Sequence, residues 1–184
     1  VKYAFEKRWI GPEMRVAAGA VLGAALLAAG ARFDRRRMRA LGQGLMGGGL
    51  AILYLSFFAS FTFYRLLPQP AAFLAMAATT AVGVTLAVLH DAPAVSVLAV
   101  IGGFLTPILL RTGVDARDAL FGYVMVLDFG VLGAAFFRRW RALDTLAFVG
   151  TAALYAAWFD RFYAPPAMLP AMLWLGAFFL VFLL

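Results

Sequence analysis

An all-α fold, built as a polytopic bundle of about seven membrane-spanning helices, is what this sequence predicts. Three observations carry that reading. Hydrophobic residues make up 65% of the chain and its mean hydropathy is +0.91, too little polar surface to clothe a soluble domain. Seven stretches are each long and apolar enough to approach the roughly 20 residues needed to cross about 30 Å of hydrocarbon. Within them, Val16–Gly30 and Ala147–Phe159 show no polar face repeating every third or fourth residue, as a soluble helix would. The strict apolar–polar alternation of a transmembrane barrel strand is also missing.

In chain order, the expected spans are Glu13–Ala31, Ala40–Tyr64, Ala71–Leu89, Ala94–Leu110, Ala119–Phe137, Leu143–Phe159 and Met168–Leu184. A mixed-charge segment, Lys2–Arg15, precedes the first. Gly11-Pro12-Glu13 suits a helix start, since proline is tolerated in the first turn and Glu13 complements the positive end of the helix dipole. Val1–Phe5 reads as the tail of an earlier span, and the chain stops at Leu184 inside an apolar run, so a longer polytopic protein with further spans is expected. The spans are treated as one transmembrane region.

The basic residues set the expected topology. Arg32, Arg35, Arg36, Arg37 and Arg39 form one cluster, and Arg138, Arg139 and Arg141 a second. Both follow odd-numbered spans, as does His90-Asp91, so all three fall on one side, which the positive-inside rule makes cytoplasmic. Arg65, Arg111, Arg117 and Arg161 fall on the other; Lys2, Lys7, Arg8 and Arg15 join them and level the totals. The net charge of +7 is thus a topology signal rather than a nucleic-acid surface. The clustered arginines are also candidates for contact with anionic lipid headgroups. Trp9, Trp140 and Trp158 stand near expected boundaries, where amphipathic rings prefer the headgroup zone, whereas Trp174 stands further in.

No cysteine is present, which excludes disulfides and thiolate metal sites, and the single His90 excludes a multi-histidine cluster. Neither a phosphate loop, a His-Glu metal motif nor a serine nucleophile elbow is found, so no metal or cofactor is implied. His90-Asp91 reads as a solvated helix exit, and Asp115 and Asp118 as helix-start acids.

Three constellations remain. Gly19, Gly23 and Gly30 share a helical face, as do Gly44, Gly47 and Gly48, with the small-residue spacing that lets backbones approach closely. In the fourth span, Gly102-Gly103-Phe104-Leu105-Thr106-Pro107 predicts a break: Pro107 lacks an N–H, so the carbonyl of Gly103 loses its helical partner. Freed backbone at membrane depth must be buried in protein or line a wet cavity, as in several transporter folds.

Asp128 is the sharpest single feature, the only acid well inside a span. An ionisable group there costs about 2.5–3.5 kcal/mol on insertion scales and normally faces the bundle interior or water. No lysine or arginine lies at similar depth, which favours the neutral, hydrogen-bond-donating acid. Gln43, Tyr54, Thr79, Thr80 and Thr106 are the candidate partners. Ala119, Gly122, Val126, Gly130 and Gly133 gather on the opposite face, which is expected to pack closely on another helix.

The run Ile10-Gly11-Pro12-Glu13-Met14-Arg15-Val16 is followed by Ala40-Leu41-Gly42-Gln43-Gly44-Leu45-Met46-Gly47-Gly48-Gly49-Leu50-Ala51-Ile52-Leu53-Tyr54-Leu55. Later come Gly102-Gly103-Phe104-Leu105-Thr106-Pro107-Ile108-Leu109-Leu110 and Leu120-Phe121-Gly122-Tyr123. Over roughly Val1 to Ala153, this combination resembles the bacterial family of multi-span membrane proteins catalogued as domain of unknown function 2339. The resemblance implies a longer bacterial envelope protein in the inner membrane, and it supplies no catalytic residues. The residues point first to a transporter or permease component for a small solute or lipid-like molecule, with Asp128 titratable or cation-binding and Gly103–Pro107 flexible. The alternative is a non-catalytic scaffold for envelope assembly. An intramembrane enzyme is weakest, because it needs a second convergent deep polar group.

Overall fold

The computed structural model describes residues 11–35, 38–111, 113, 115–138 and 140–183, without the side chains of Asp34 and Arg35. They form seven α-helices: α1 (Pro12–Arg35), α2 (Arg39–Thr62), α3 (Gln69–His90), α4 (Pro93–Leu109), α5 (Arg117–Arg138), α6 (Arg141–Phe162) and α7 (Met168–Leu183). A short 3-10 turn, Pro165–Ala167, precedes α7, and no strand occurs among the described residues. Six helices (α7 together with its leading turn) are long and apolar enough to cross a membrane. The fold is the all-α polytopic bundle that the composition demands.

α4 is the exception in length. Its 17 residues reach about 25 Å at 1.5 Å per residue, short of a hydrocarbon core of about 30 Å. It nevertheless runs the length of the bundle beside α3. Asp91 turns the chain in the left-handed region (φ 51°), and Pro93 opens α4 directly after it. At the far end of α4, the carbonyl of Leu110 accepts a 2.8 Å hydrogen bond from Gln69 Nε2, at the first residue of α3.

Contacts between connections define two ends. At the first, the Arg138 guanidinium donates to the carbonyl of Val88 and lies 3.9 Å from the Asp91 carboxylate. Trp140 packs there against the cluster that includes Ala87 and Ala92, against which Ala31 of α1 also packs. This joins the α1–α2, α3–α4 and α5–α6 connections at one arginine-bearing end. At the opposite end, Trp158 Nε1 donates to Asp115 at 2.8 Å and Trp174 Nε1 to Asp118 at 3.1 Å. Trp174, six residues into α7, therefore reaches the first turn of α5 rather than standing deep in the span.

Glycine governs the α1–α2 crossing. A Cβ on Gly23 would lie 2.9 Å from the carbonyl oxygen of Gly49, and one on Gly49 would lie 2.7 Å from that of Gly23. A Cβ on Gly30 would lie 2.6 Å from the carbonyl oxygen of Gly42, and Gly19 abuts Ser56. Side chains larger than hydrogen would force the backbones apart. Gly44 and Gly48 are not part of this contact: a Cβ on either meets nothing within 4 Å. Burying Met46, Leu50 and Leu53 turns Gly42 and Gly49 toward α1 and leaves Gly44 and Gly48 facing outward. The expected packing face of α5 is corrected likewise. Gly122, Gly130 and Gly133 have open space where a side chain would project, and Val126 is 72% exposed. The larger Phe121, Val124, Val131 and Ala135 occupy the core side instead.

Candidate functional site

Asp128 lies in the middle of that core-facing stripe of α5, fully buried. Across from it, α6 presents Ala147, Thr151, Leu154 and Trp158 at helical spacing. The short α5–α6 connection makes the two helices an antiparallel pair. Thr151 stands as far after the turn as Asp128 stands before it, so the two meet. The Thr151 hydroxyl oxygen is 2.9 Å from one carboxyl oxygen of Asp128 and 2.7 Å from the other.

A threonine hydroxyl has one proton to give, so it donates to one of these oxygens. The second short approach suits a carboxylic acid that donates back to the hydroxyl. An ionised carboxylate would hold about four lone-pair sites against a single donor. Among the described residues no cation pairs with Asp128. Thr151 also lines a groove of about 650 Å³ between α6 and α7, among Phe148, Tyr155, Phe178 and Phe179. Thr151 thus touches both the buried carboxyl and the groove, whose lining also carries Asp144 and Thr145.

The other expected partners assemble elsewhere, around α4. Tyr54 from α2 shares a 2.7 Å hydrogen bond with Thr80 from α3 and donates to the carbonyl of Ala99 at 3.0 Å. Pro107 frees the carbonyl of Gly103, and Tyr123 from α5 fills the vacancy with a 2.9 Å hydrogen bond. Thr106 donates to the carbonyl of Gly102 at 2.8 Å. The Tyr123 hydroxyl lies beside those of Thr106 and Thr80. Gly102 and Gly103 let Tyr54, Thr80 and Leu127 close onto α4. The expected break does not interrupt α4, which stays helical through Pro107 to Leu109; the carbonyl that the proline frees is taken by Tyr123, so Gly103 offers none for a ligand.

Two predicted residues join neither cluster. Thr79 donates to the carbonyl of Ala75 in its own helix, and Gln43 is half-buried in the second turn of α2. Arg138 is committed to Val88 and Asp91, whereas Arg141 is exposed at the start of α6. Arg36, Arg37 and Arg139 lie outside the described residues, as does the side chain of Arg35. No group of three or more metal-ligating side chains occurs among the described residues.

Compared with known proteins, the chain matches the family model described as a predicted membrane protein, DUF2339, over residues 1–184. The chain belongs to this family. No curated protein and no solved structure matches it. The family match runs past Ala153, where the resemblance read from the sequence ends, and so takes in Trp158 together with α7 of this DUF2339 chain. Sequence reasoning missed Thr151, Tyr123 and Gln69. Mirror positions about the α5–α6 turn would have found Thr151, and the proline-freed carbonyl of Gly103 called for a donor of the kind Tyr123 provides.

Proposed function

We propose that this membrane protein is a transport-like component, a transporter or permease part for a small solute or lipid-like molecule, in the bacterial inner membrane. Asp128, paired with Thr151, is its proton- or cation-responsive group, and the arginine-bearing end faces the cytoplasm. One observation carries the reading: a fully buried acid whose described side-chain partner is a single hydroxyl. A group that costs about 2.5–3.5 kcal/mol to insert is retained where an apolar residue would serve packing better. Thr151 links it to the groove between α6 and α7, giving a ligand or a proton a way in. Movement at Gly103–Pro107 would require the Tyr123 bond to open first.

The scaffold reading draws on a different observation, the side-chain ties at the two ends and the close glycine crossing. Tryptophan–aspartate bonds tie the α4–α5 connection to α6 and the first turn of α5 to α7, and nothing in those ties is chemically reactive. The two readings separate in proteoliposomes. Solute-dependent proton or cation uptake, screened over a panel of small acids, amines and lipid headgroups, is expected with the native chain and lost in Asp128→Asn. Insertion and helix content should be unchanged in that variant. Uptake of equal size in Asp128→Asn would remove the acid from the mechanism and leave the scaffold as the better reading.

A further inference from the structure

At the tryptophan-bearing end, the ends of α3, α4, α5 and α6 enclose a cavity of about 710 Å³. Its walls are apolar, with Phe73, Leu74, Pro107 and Leu120, and two arginines line it, Arg111 and Arg161. Both guanidinium groups belong to exposed residues, and among the described residues neither forms an ion pair. Of the neighbouring acids, Asp115 accepts from Trp158, Asp118 accepts from Arg117 and Trp174, and Asp160 lines a separate groove between α6 and α7. None of these three acids lines the cavity. A lone arginine after a helix C-terminus needs only the helix dipole to account for it. Two arginines, one just after α4 and one in the last turn of α6, that line one apolar-walled cavity call for an anion with an apolar body.

We infer that this cavity holds an anionic phospholipid, its phosphate between Arg111 and Arg161 and its acyl chains along the Leu74–Pro107 wall. The bilayer, rather than bulk solution, is the source because the wall continues onto the outward flank of the bundle, where Leu74 is 67% exposed. The volume falls within the range of about 300–1,000 Å³ typical of ligand sites, enough for a headgroup and the first part of its chains. Gln69 fixes the depth of the site by tying the start of α3 to the end of α4. The site lies at the opposite end from Arg138 and Arg141 and does not depend on Asp128.

Trp158 lines the cavity and can report on it. The full chain carrying Trp9→Phe, Trp140→Phe and Trp174→Phe keeps Trp158 as its only tryptophan. In phosphatidylcholine nanodiscs, brominated phosphatidylglycerol should quench it at a roughly tenfold lower membrane fraction than brominated phosphatidylcholine, as two near-surface arginines imply. Arg111→Gln combined with Arg161→Gln should make the two lipids equal. Arg65→Gln, outside the cavity, should leave the preference intact, as should inorganic phosphate at matched ionic strength. Equal quenching with both arginines present, or a preference that survives their loss, would overturn the site. Displacement by inorganic phosphate would mean that the arginines hold a free anion, which also overturns it. If the single-tryptophan chain fails to fold, native mass spectrometry of the unaltered chain decides the same point. One retained phosphatidylglycerol, lost with both arginines, supports the site, and none retained contradicts it.

Discussion

Thr151 holds one hydroxyl against both carboxyl oxygens of Asp128, and this pair concentrates the chemistry of the bundle. Replacing Thr151 by valine keeps the shape and removes the hydroxyl. The buried acid would then lose its hydrogen bond, at a cost of about 1–3 kcal/mol. Thermal unfolding in detergent should therefore show Thr151→Val destabilised and Thr151→Ser near the native value. At this scale the sequence was only half legible. Asp128 stands out because every other acid lies near a helix end, and one chain suffices to see that. Its partner was sought among Gln43, Tyr54, Thr79, Thr80 and Thr106, because depth alone cannot say which helix faces which. That information resides in the antiparallel register of α5 and α6.

Pairs of helices are positioned by two devices, glycine contact and a hydroxyl bonded to a proline-freed carbonyl. Between α1 and α2 the contact runs through Gly23 and Gly49 rather than through Gly44 and Gly48. Gly49→Leu should accordingly collapse the thermal unfolding midpoint or prevent folding, while Gly48→Leu should leave it within experimental scatter. The reverse order would mean that the crossing is misplaced. Small-residue spacing announced a close crossing, but two interleaved glycine faces in α2 fitted it equally well. The choice was made by the large neighbours Met46, Leu50 and Leu53, whose burial outweighs any preference of glycine itself. In α4, the freed carbonyl of Gly103 was legible from Pro107. Its capture by Tyr123 was not, because a donor twenty residues away in sequence leaves no local pattern.

As a whole molecule, the bundle sorts its connections into an arginine-bearing end and a tryptophan-bearing end. Span count and loop charges made most of this legible, since each apolar run needs about the same length and successive runs must alternate in direction. The 17-residue α4 is the one place where length alone would have miscounted, and its contacts at both ends resolve it. The chain has no cysteine, so single cysteines report sidedness without background. Cysteines at Asp91 and Arg141 should react with an impermeant maleimide from the same side of the membrane, and cysteines at Arg65 and Arg161 from the other. Positive-inside orientation makes the Asp91 side cytoplasmic. Reaction of Asp91 and Arg141 positions from opposite sides would break the two-ended architecture on which the placement of Asp128 at mid-depth rests.

The state of the Asp128 carboxyl in lipid tests the proposed function most directly. Infrared difference spectra of the native chain, with Asp128→Asn subtracted, isolate its carboxyl stretch. A responsive site predicts a band whose intensity changes across about pH 5 to 9 and which shifts when a transported solute is added. A band that stays constant over that range and ignores every solute would make Asp128 a structural hydrogen-bonding group, and the protein a scaffold.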